Sequence, residues 1–445
     1  MPLLKTLITT NSKCLFPVMA GVGEVLAPLV PDLLGGVRCK LLPPERKDEI
    51  ISEGYGFDGS SCGFCLVNDS DLVALPDPST ETLVGRYRLF ICDVYKAGER
   101  SSLDTRFALE RAISRLKEHG LDMITGTEVE FYILKRGSSL GVLDSWRYME
   151  LVPDASSLPL STDLMLMAHS KVRVQFTHHE VGPGQFELTL VKDTPRSLAD
   201  RVILLKWMIR HWISERGLLA TFMPKPFIDR PGSGMHIHFS LLRDGKSIMR
   251  PEGRSDGKAI FSEEAAAFLA GILEHARALC ILTSPTVNSY KRLMPKFGAP
   301  IYVCWGIGNR SALARVPKHA AARDRLRIEL RAPDPSCNPY LALAGIIIAG
   351  LRGLEEGLEL PEPVNENVYE LKEGELERLP ADLGEAIEAA ERDLIIREAL
   401  GPELAEQYLK LKKAECNSYL RVLEQLGEDP ASITSWELAE YLERP

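Results

Sequence analysis

Three short segments of the chain carry chemically active side chains two residues apart in strand-like sequence. They are Glu128-Val-Glu130 running into Phe-Tyr-Ile-Leu, His236-Ile-His238 running into Phe-Ser-Leu, and Glu329-Leu-Arg331 following Arg327-Ile. In a strand, residues i and i+2 point to the same face. Each pair therefore lines one side of a sheet while apolar neighbours supply the other. The fold must contain a sheet with a core face and a polar, site-lining face.

A fourth segment, His178-His179-Glu180-Val-Gly-Pro-Gly-Gln185-Phe-Glu187, adds two carboxylates around a glycine- and proline-rich turn. The pool is then five glutamates with one or two histidines. Such an oxygen-dominated set suits hard divalent cations such as Mg²⁺ or Mn²⁺, whereas zinc favours cysteine or more histidine. Arg292, Arg310, Arg315, Arg327 and Arg331 crowd the same stretch of sequence. Guanidinium forks match phosphate and carboxylate oxygens and neutralise charge during phosphoryl transfer, so the chemistry implied is nucleotide-dependent. Taken singly, an ExE or HxH pair on a strand is most often a solvated face. The joint presence of all of them carries the reading.

With 445 residues the chain exceeds one compact core, and two or three domains are expected. The first hundred residues read as strand-rich, with the alternating run Arg86 to Tyr95 as the clearest strand, and a boundary falls near Ser102. Asp104 or Thr105 can then cap a helix with Phe107, Ala112, Ile113 and Leu116 on one face, ending at Gly120. A packing helix runs from Pro195 to Gly217, and further helices are expected from Ser262 to Leu282, Asn338 to Leu354, Pro402 to Leu426 and Ser435 to Leu442. Glu355 to Leu383 reads as a long surface connection.

The net charge of -9, without a long basic block, argues against a nucleic-acid partner. The apolar stretch from Cys14 to Val37 is interrupted by Pro17, Glu24, Pro28, Pro31 and Asp32, and Pro339 to Leu351 is too short to span a bilayer, so no membrane association is expected. Nine scattered cysteines, an odd number, fit a reducing cytoplasm. Cys62 and Cys65 form a lone CxxC, read as two thiols beside a turn.

Over nearly its whole length the chain resembles the glutamine synthetase family. The resemblance rests on Gly56-Phe-Asp-Gly-Ser-Ser61, Glu128-Val-Glu-Phe131, His178-His-Glu180 with Gly184-Gln-Phe-Glu187, Ala220-Thr-Phe-Met-Pro-Lys-Pro226, Gly232-Ser-Gly-Met-His-Ile-His238, Asn288-Ser-Tyr-Lys-Arg-Leu293, Asn309-Arg-Ser-Ala312, Arg327-Ile-Glu-Leu-Arg331 and Asn338-Pro-Tyr-Leu341, in family order. It implies an α+β fold, with an N-terminal β-grasp domain (1–102) and a glutamine synthetase catalytic domain (103–445) whose strands form a funnel-like half-barrel surrounded by helices. It also implies a homo-oligomer, a dodecamer of two hexameric rings with sites between neighbouring subunits, where Asp58 acts on a neighbour's site.

Carried over residue by residue, Glu130, Glu180 and Glu187 match ligands of a first Mg²⁺ or Mn²⁺ ion, and Glu128, His236 and Glu329 those of a second. His238 and Ser240 match residues near ATP, while Arg315 and Arg327 match arginines that reach the transferring phosphoryl group. Gly232, Arg292 and Arg331 match the glutamate-binding set, with Arg310 between the substrates. The implied reaction activates glutamate as γ-glutamyl phosphate and couples it to a nitrogen nucleophile.

Two departures stand out. Where the family carries a flap glutamate that closes the glutamate site and helps deprotonate ammonium, this chain has Gly298, within Met294-Pro-Lys-Phe-Gly298-Ala-Pro300. Pro231 stands where the loop before Gly232 usually carries Asn. Asp58 is kept, and Tyr148, one residue short of the family spacing, matches a tyrosine lining the ammonium site, beside Glu180. Glycine leaves room for a substituent and removes a base, which favours an organic primary amine as nucleophile. Ammonia, with Asp58 as base, is the alternative. A non-catalytic ring-forming or ATP- and glutamate-sensing relative is the third reading, disfavoured because all six ligands persist. Tyr369, followed by Glu-Leu-Lys, lacks the family's adenylylation context, so no such control is expected.

Overall fold

The computed structural model describes residues 23–137, 140–151, 157–251, 260–295, 297–321, 325–372 and 374–444. The start of the apolar stretch, Cys14 to Val22, and Lys296 of the flap segment lie outside the described residues.

Up to Arg100 the chain forms β1 (Val25–Pro31), β2 (Val37–Cys39), α1 (Lys47–Glu53), β3 (Tyr55–Asp58), β4 (Asp71–Val84), β5 (Tyr87–Lys96) and β6 (Glu99–Arg100). These strands make one sheet in the order β2-β1-β5-β4-β3, with β6 on β5, and β1 runs parallel to β5. The expected alternation along β5 is corrected, since Leu89, Phe90, Ile91 and Cys92 are all buried. Both faces are covered: Phe90 and Leu26 pack on Ile50 of α1, while Leu89 and Ile91 join the main core.

Next come α2 (Thr105–Glu118), β7 (Asp122–Lys135), β8 (Gly141–Val142), α3 (Ser157–Val172), β9 (Val174–His179), β10 (Gln185–Leu190), α4 (Pro195–Ser214), β11 (Leu218–Thr221), β12 (Ile237–Arg243) and β13 (Lys246–Ser247). The rest comprises α5 (Glu263–Glu274), α6 (Ala276–Thr283), α7 (Val287–Arg292), β14 (Trp305–Ile307), β15 (Ala314–Val316), α8 (Lys318–Ala321), β16 (Ile328–Leu330), α9 (Pro339–Glu356), α10 (Leu383–Arg392), α11 (Ile395–Leu400), α12 (Pro402–Leu426) and α13 (Ser435–Tyr441). A second, curled sheet of ten strands runs β14-β15-β16-β12-β7-β10-β9, with β11 and β8 on β7 and β13 on β12. The architecture is the expected α+β pairing of a small N-terminal sheet with a half-barrel wrapped by helices.

Asp104 is the cap of α2, its side chain accepting from the Arg106 N–H. The buried stripe of α2 runs through Ala108, Leu109, Ala112 and Leu116, with Phe107 and Ile113 at its half-exposed margins. Helix α4 buries Leu198, Val202, Leu205, Ile209 and Ile213 as expected. The single helix expected from Ser262 to Leu282 is two, bent by 75° at His275, whose Nδ1 lies 2.7 Å from Asp393 Oδ2. The connection after α9 is not wholly superficial: Val368 packs fully buried on Cys304 and Ala312. No single described helix is long and apolar enough to cross a membrane. Cys62 and Cys65 are unbridged thiols.

The N-terminal sheet is fastened to helices α2 and α4 through Arg106 of α2, which is fully buried and reaches Asp77 of β4, Asp93 of β5 and Asp200 of α4. Tyr340 of α9 donates to the same Asp200 at 2.6 Å. A buried guanidinium with three carboxylates has its donors satisfied, whereas loss of the cation would strand those acids in the core.

Candidate active site

Strand β7 sets out the site by alternation. Met123, Thr125, Thr127, Val129 and Phe131 are buried on the core face, which leaves Glu128 and Glu130 on the other. Register then places partners opposite: Glu187 of β10 faces Glu130, and Thr189 faces Glu128. Across β12, His238 pairs with Glu329 of β16, which in turn pairs with Arg315 of β15. Backbone bonds from Glu128 N to His236 O and from Glu130 N to Gly234 O draw the segment before β12 onto the same ladder.

Two groups of potential metal ligands result, each with its ligand atoms within 4.8 Å of one another: Glu128, His236 and Glu329, and His178, Glu180 and Glu187. In the first, His236 Nδ1 lies 3.0 Å from Glu128 Oε2 and 4.0 Å from Glu329 Oε1. His238 Nε2 is 3.1 Å from the other Glu128 oxygen. In the second, His178 Nε2 lies 3.1 Å from Glu180 Oε1. The trio drawn from the family had Glu130 in place of His178. Glu130 instead turns one oxygen to the Gly234 N–H at 2.7 Å. It satisfies a buried carboxylate with a main-chain donor while still lying beside Glu187 across the ladder. His178 has no assigned role in the sequence, although its i, i+2 spacing to Glu180 repeats the pattern of the other pairs.

The electrostatics divide this cluster in two. Against the cost of burial, Arg331, His238, His236 and Arg315 hold Glu329 down to about 2. Burial likewise opposes, but bonds to His236 and His238 outweigh it and keep Glu128 well below the carboxylate range. On the other side, burial and the neighbouring Glu128, Glu130 and Glu180 push Glu187 up to about 10. Burial and Glu180 push Glu130 up to about 8. Arg292 and Arg331 offset only part of the negative charge on that side, and the donors are carboxylate oxygens with imidazole nitrogen. A hard divalent cation fits.

The arginines are already engaged. Arg331 spends its three nitrogens on three elements: Nη1 on Glu329 at 2.5 Å, Nε on the Arg310 carbonyl at 3.0 Å, and Nη2 on the Gly298 carbonyl at 3.0 Å. Arg315 Nη1 takes the other Glu329 oxygen, and Arg327 Nε reaches His238 Nδ1 at 3.3 Å. Arg292 is buried, bound to the carbonyls of Arg331 and Ala332, and packed on two glycines. A Cβ at Gly232 would stand 2.6 Å from the Pro224 oxygen, and one at Gly234 would stand 2.6 Å from Arg292 Nη2, so this loop admits no side chain there. The Pro231 carbonyl accepts from the Tyr132 hydroxyl at 2.7 Å. Ser240 donates to the Leu326 carbonyl at 2.9 Å, and Arg310 is exposed.

Tyr148, half exposed, sets its ring edge-on to His178 with centroids 5.3 Å apart. Asp58 stands on the other sheet, its carboxylate bound by Ser61 and Ser60 of its own loop, which hold it well below its ordinary range. Its hydrogen-bond partners include no member of the cluster. Lys225, which the sequence reading passes over, is fully buried, with Nζ 3.8 Å from the ring centre of Phe297, the flap residue before Gly298.

This geometry can be set beside known proteins. Residues 30–97 match the model of the glutamine synthetase beta-Grasp domain, and residues 102–439 match that of the glutamine synthetase catalytic domain. The chain belongs to the glutamine synthetase family. Its relatives include the glutamine synthetase of Thermococcus kodakarensis, 40% identical over 426 residues covering 92% of this chain and 94% of that one, and that of Thermotoga maritima, 36% identical over 429 residues, with coverages of 92% and 94%. Among solved structures, one described as "GmaS/ADP complex-Conformation 1" superposes with a TM-score of 0.80 at 30% identity, covering 94% of this chain and 96% of that one. Another, a "novel glutamine synthase homolog", gives 0.77 at 25% identity, covering 89% and 95%. As a glutamine synthetase family member the chain is an ATP-dependent carbon–nitrogen ligase, of a family that uses divalent metals, glutamate and ammonia.

Proposed function

We propose that this glutamine synthetase family ligase condenses the γ-carboxylate of glutamate with a small organic primary amine, cleaving ATP to ADP and phosphate. The observation that carries the choice of nucleophile is Gly298. Its φ is +76°, and a Cβ built there meets none of the described residues within 4 Å, which leaves open space where a family member holds a carboxylate wall. An amine substituent can occupy that space, and no flap acid is present to bind an ammonium ion.

Glu180 and Glu187, with His178 or Glu130, are the residues that would hold one Mg²⁺ or Mn²⁺, and Glu128, His236 and Glu329 the second. Bound there, the ions supply charge neutralisation for the phosphates and the carboxylate. The chain's own part is orientation. Arg315 and Arg327 face the phosphoryl oxygens, with His238 and Ser240 on the nucleotide side. Arg292, Arg331 and the Gly232 loop position glutamate, and Arg310 lies between the two substrates. Transfer of the terminal phosphoryl group to the γ-carboxylate gives γ-glutamyl phosphate, and attack by the amine nitrogen expels phosphate. Asp58, ionised at any working pH, takes the amine proton from a neighbouring subunit of a ring assembly, and Tyr148 lines that side of the site with Glu180. The boundary near Ser102 separates the domain that reaches across from the one that is reached.

The names of relatives at about 40% identity favour a second reading, glutamine synthesis from ammonia. Phosphate release from ATP with glutamate and Mg²⁺ separates the two. The proposal expects turnover with small primary amines to exceed that with ammonium, and G298E to reverse the preference. Ammonium as the better substrate of the unaltered chain overturns it.

A further inference from the structure

Away from the catalytic cluster lies a pocket of about 390 Å³, walled by Gly35 and Val37 of the N-terminal sheet region, helix α4, strand β11 and Glu443 near the C-terminal end. Its charged lining is Arg136, Lys206 and Arg210 against the single acid Glu443, with Trp207 and His211 stacked on one wall at 5.1 Å. Arg136 is paired with Glu443 at 3.1 Å.

The other two cations have no carboxylate partner among the described residues. Lys206 is buried and donates only to the Pro335 carbonyl at 2.6 Å. Arg210 donates only to the Arg444 carbonyl at 2.6 Å, lies over the Phe222 ring, and leaves a buried Nε with no partner. Burial, with Arg210 adding to it, pushes Lys206 down to about 8, and burial pushes Arg210 down to about 10 despite Glu443. Two adjacent cations that pair with none of the nearby acids, Asp32 and Asp334 for Lys206 and Glu443 for Arg210, are costly to keep. In a cavity of ligand size, such a pair with idle donors is what an anion satisfies.

We infer that this pocket is a binding site for a small organic anion bearing carboxylate or phosphate groups, held by Lys206 and Arg210 and separate from the catalytic centre. Lys206 is tied through Pro335 to the turn whose Pro333 carbonyl accepts from Met235, next to His236. One turn thus lies between the pocket and the segment that carries His236.

The test is isothermal titration of the whole enzyme with inorganic phosphate and with succinate, the two arms separating phosphate from dicarboxylate chemistry. The unaltered enzyme is expected to show a saturable site for at least one of them. R210Q is expected to weaken it about 10-fold or more, as loss of a charge-assisted contact does. Because R210Q alters a partly buried residue, E443Q provides the complementary test: it removes the only acid lining the pocket, at an exposed side chain, and is expected to tighten binding. Absence of saturable binding to either anion, or affinities unchanged in both variants, overturns the inference.

Discussion

Glu329 and Glu187 sit in the same acidic cluster, yet their conversion to glutamine is expected to move stability in opposite directions. Glu329 is 1% exposed and bound by Arg315 and Arg331, which hold it down to about 2 from an ordinary 4.5. At about 1.4 kcal/mol per pH unit, the separation amounts to about 3 kcal/mol of stabilisation. This contribution is complete above about pH 4.5 and disappears as the pH falls toward 2. Glu187, 5% exposed, is pushed up to about 10, so at pH 7 the fold holds it protonated at a cost of about 3 kcal/mol relative to the unfolded chain. That cost starts above about pH 4.5 and grows with pH until about 10. E329Q in chelator at pH 7 should therefore lose about 3 kcal/mol, and E187Q should gain up to about 3 kcal/mol. With about 2.1 cal/mol/K per residue, 445 residues give about 0.9 kcal/mol/K, or a Tm shift of about 3 °C either way. Thermal unfolding monitored at several pH values is the assay. Two shifts of the same sign, or an E187Q gain that does not widen from pH 6 to 8, would refute the electrostatic division of the site.

Other outcomes follow from the same structure. G271A places a methyl 2.2 Å from the Ala349 oxygen and 2.5 Å from the Gly353 nitrogen, forcing α5 and α9 apart; a loss of about 3 kcal/mol is expected in denaturant titration. Burial lowers His275, but its bond to Asp393 outweighs this and leaves it raised, so its contribution is complete below about pH 6.5 and fades as the pH rises through the folded value. H275N should cost about 1 kcal/mol near pH 6 and progressively less by pH 8.5, a difference readable in paired melting curves. If Asp58 serves a neighbour's site, D58N and E187Q preparations, each inactive alone, should regain activity when their subunits are dissociated and reassembled together. Persistent inactivity of the mixture would place Asp58 in its own subunit's chemistry.

Much of this architecture is written locally. Helices α4, α9 and α12 open on a proline, α9 and α13 carry side-chain caps at Asn338 and Thr434, and the site-lining face of β7 follows from period two alone. What escapes is decided at a distance. The break at His275 has no glycine or proline to mark it, because the carboxylate that meets it comes from Asp393. Helices α1, α7 and α11 have six or seven residues, too few for a helical period to register, whereas α13, equally short, is marked by its Thr434–Glu437 capping box. The even burial of β5 depends on Ile50 arriving from α1. Within the site, residue types were legible but orientations were not: Glu130 turns to the Gly234 N–H, a donor 104 residues away, and His178 joins Glu180 and Glu187.

The bond from Arg331 to residue 298 is made to a carbonyl, and every amino acid has one. The flap is thus secured by its backbone while its side-chain position stays outside that attachment. A substitution at residue 298 would leave that carbonyl attachment in place and would be felt instead as backbone strain, because the φ of +76° there disfavours most side chains.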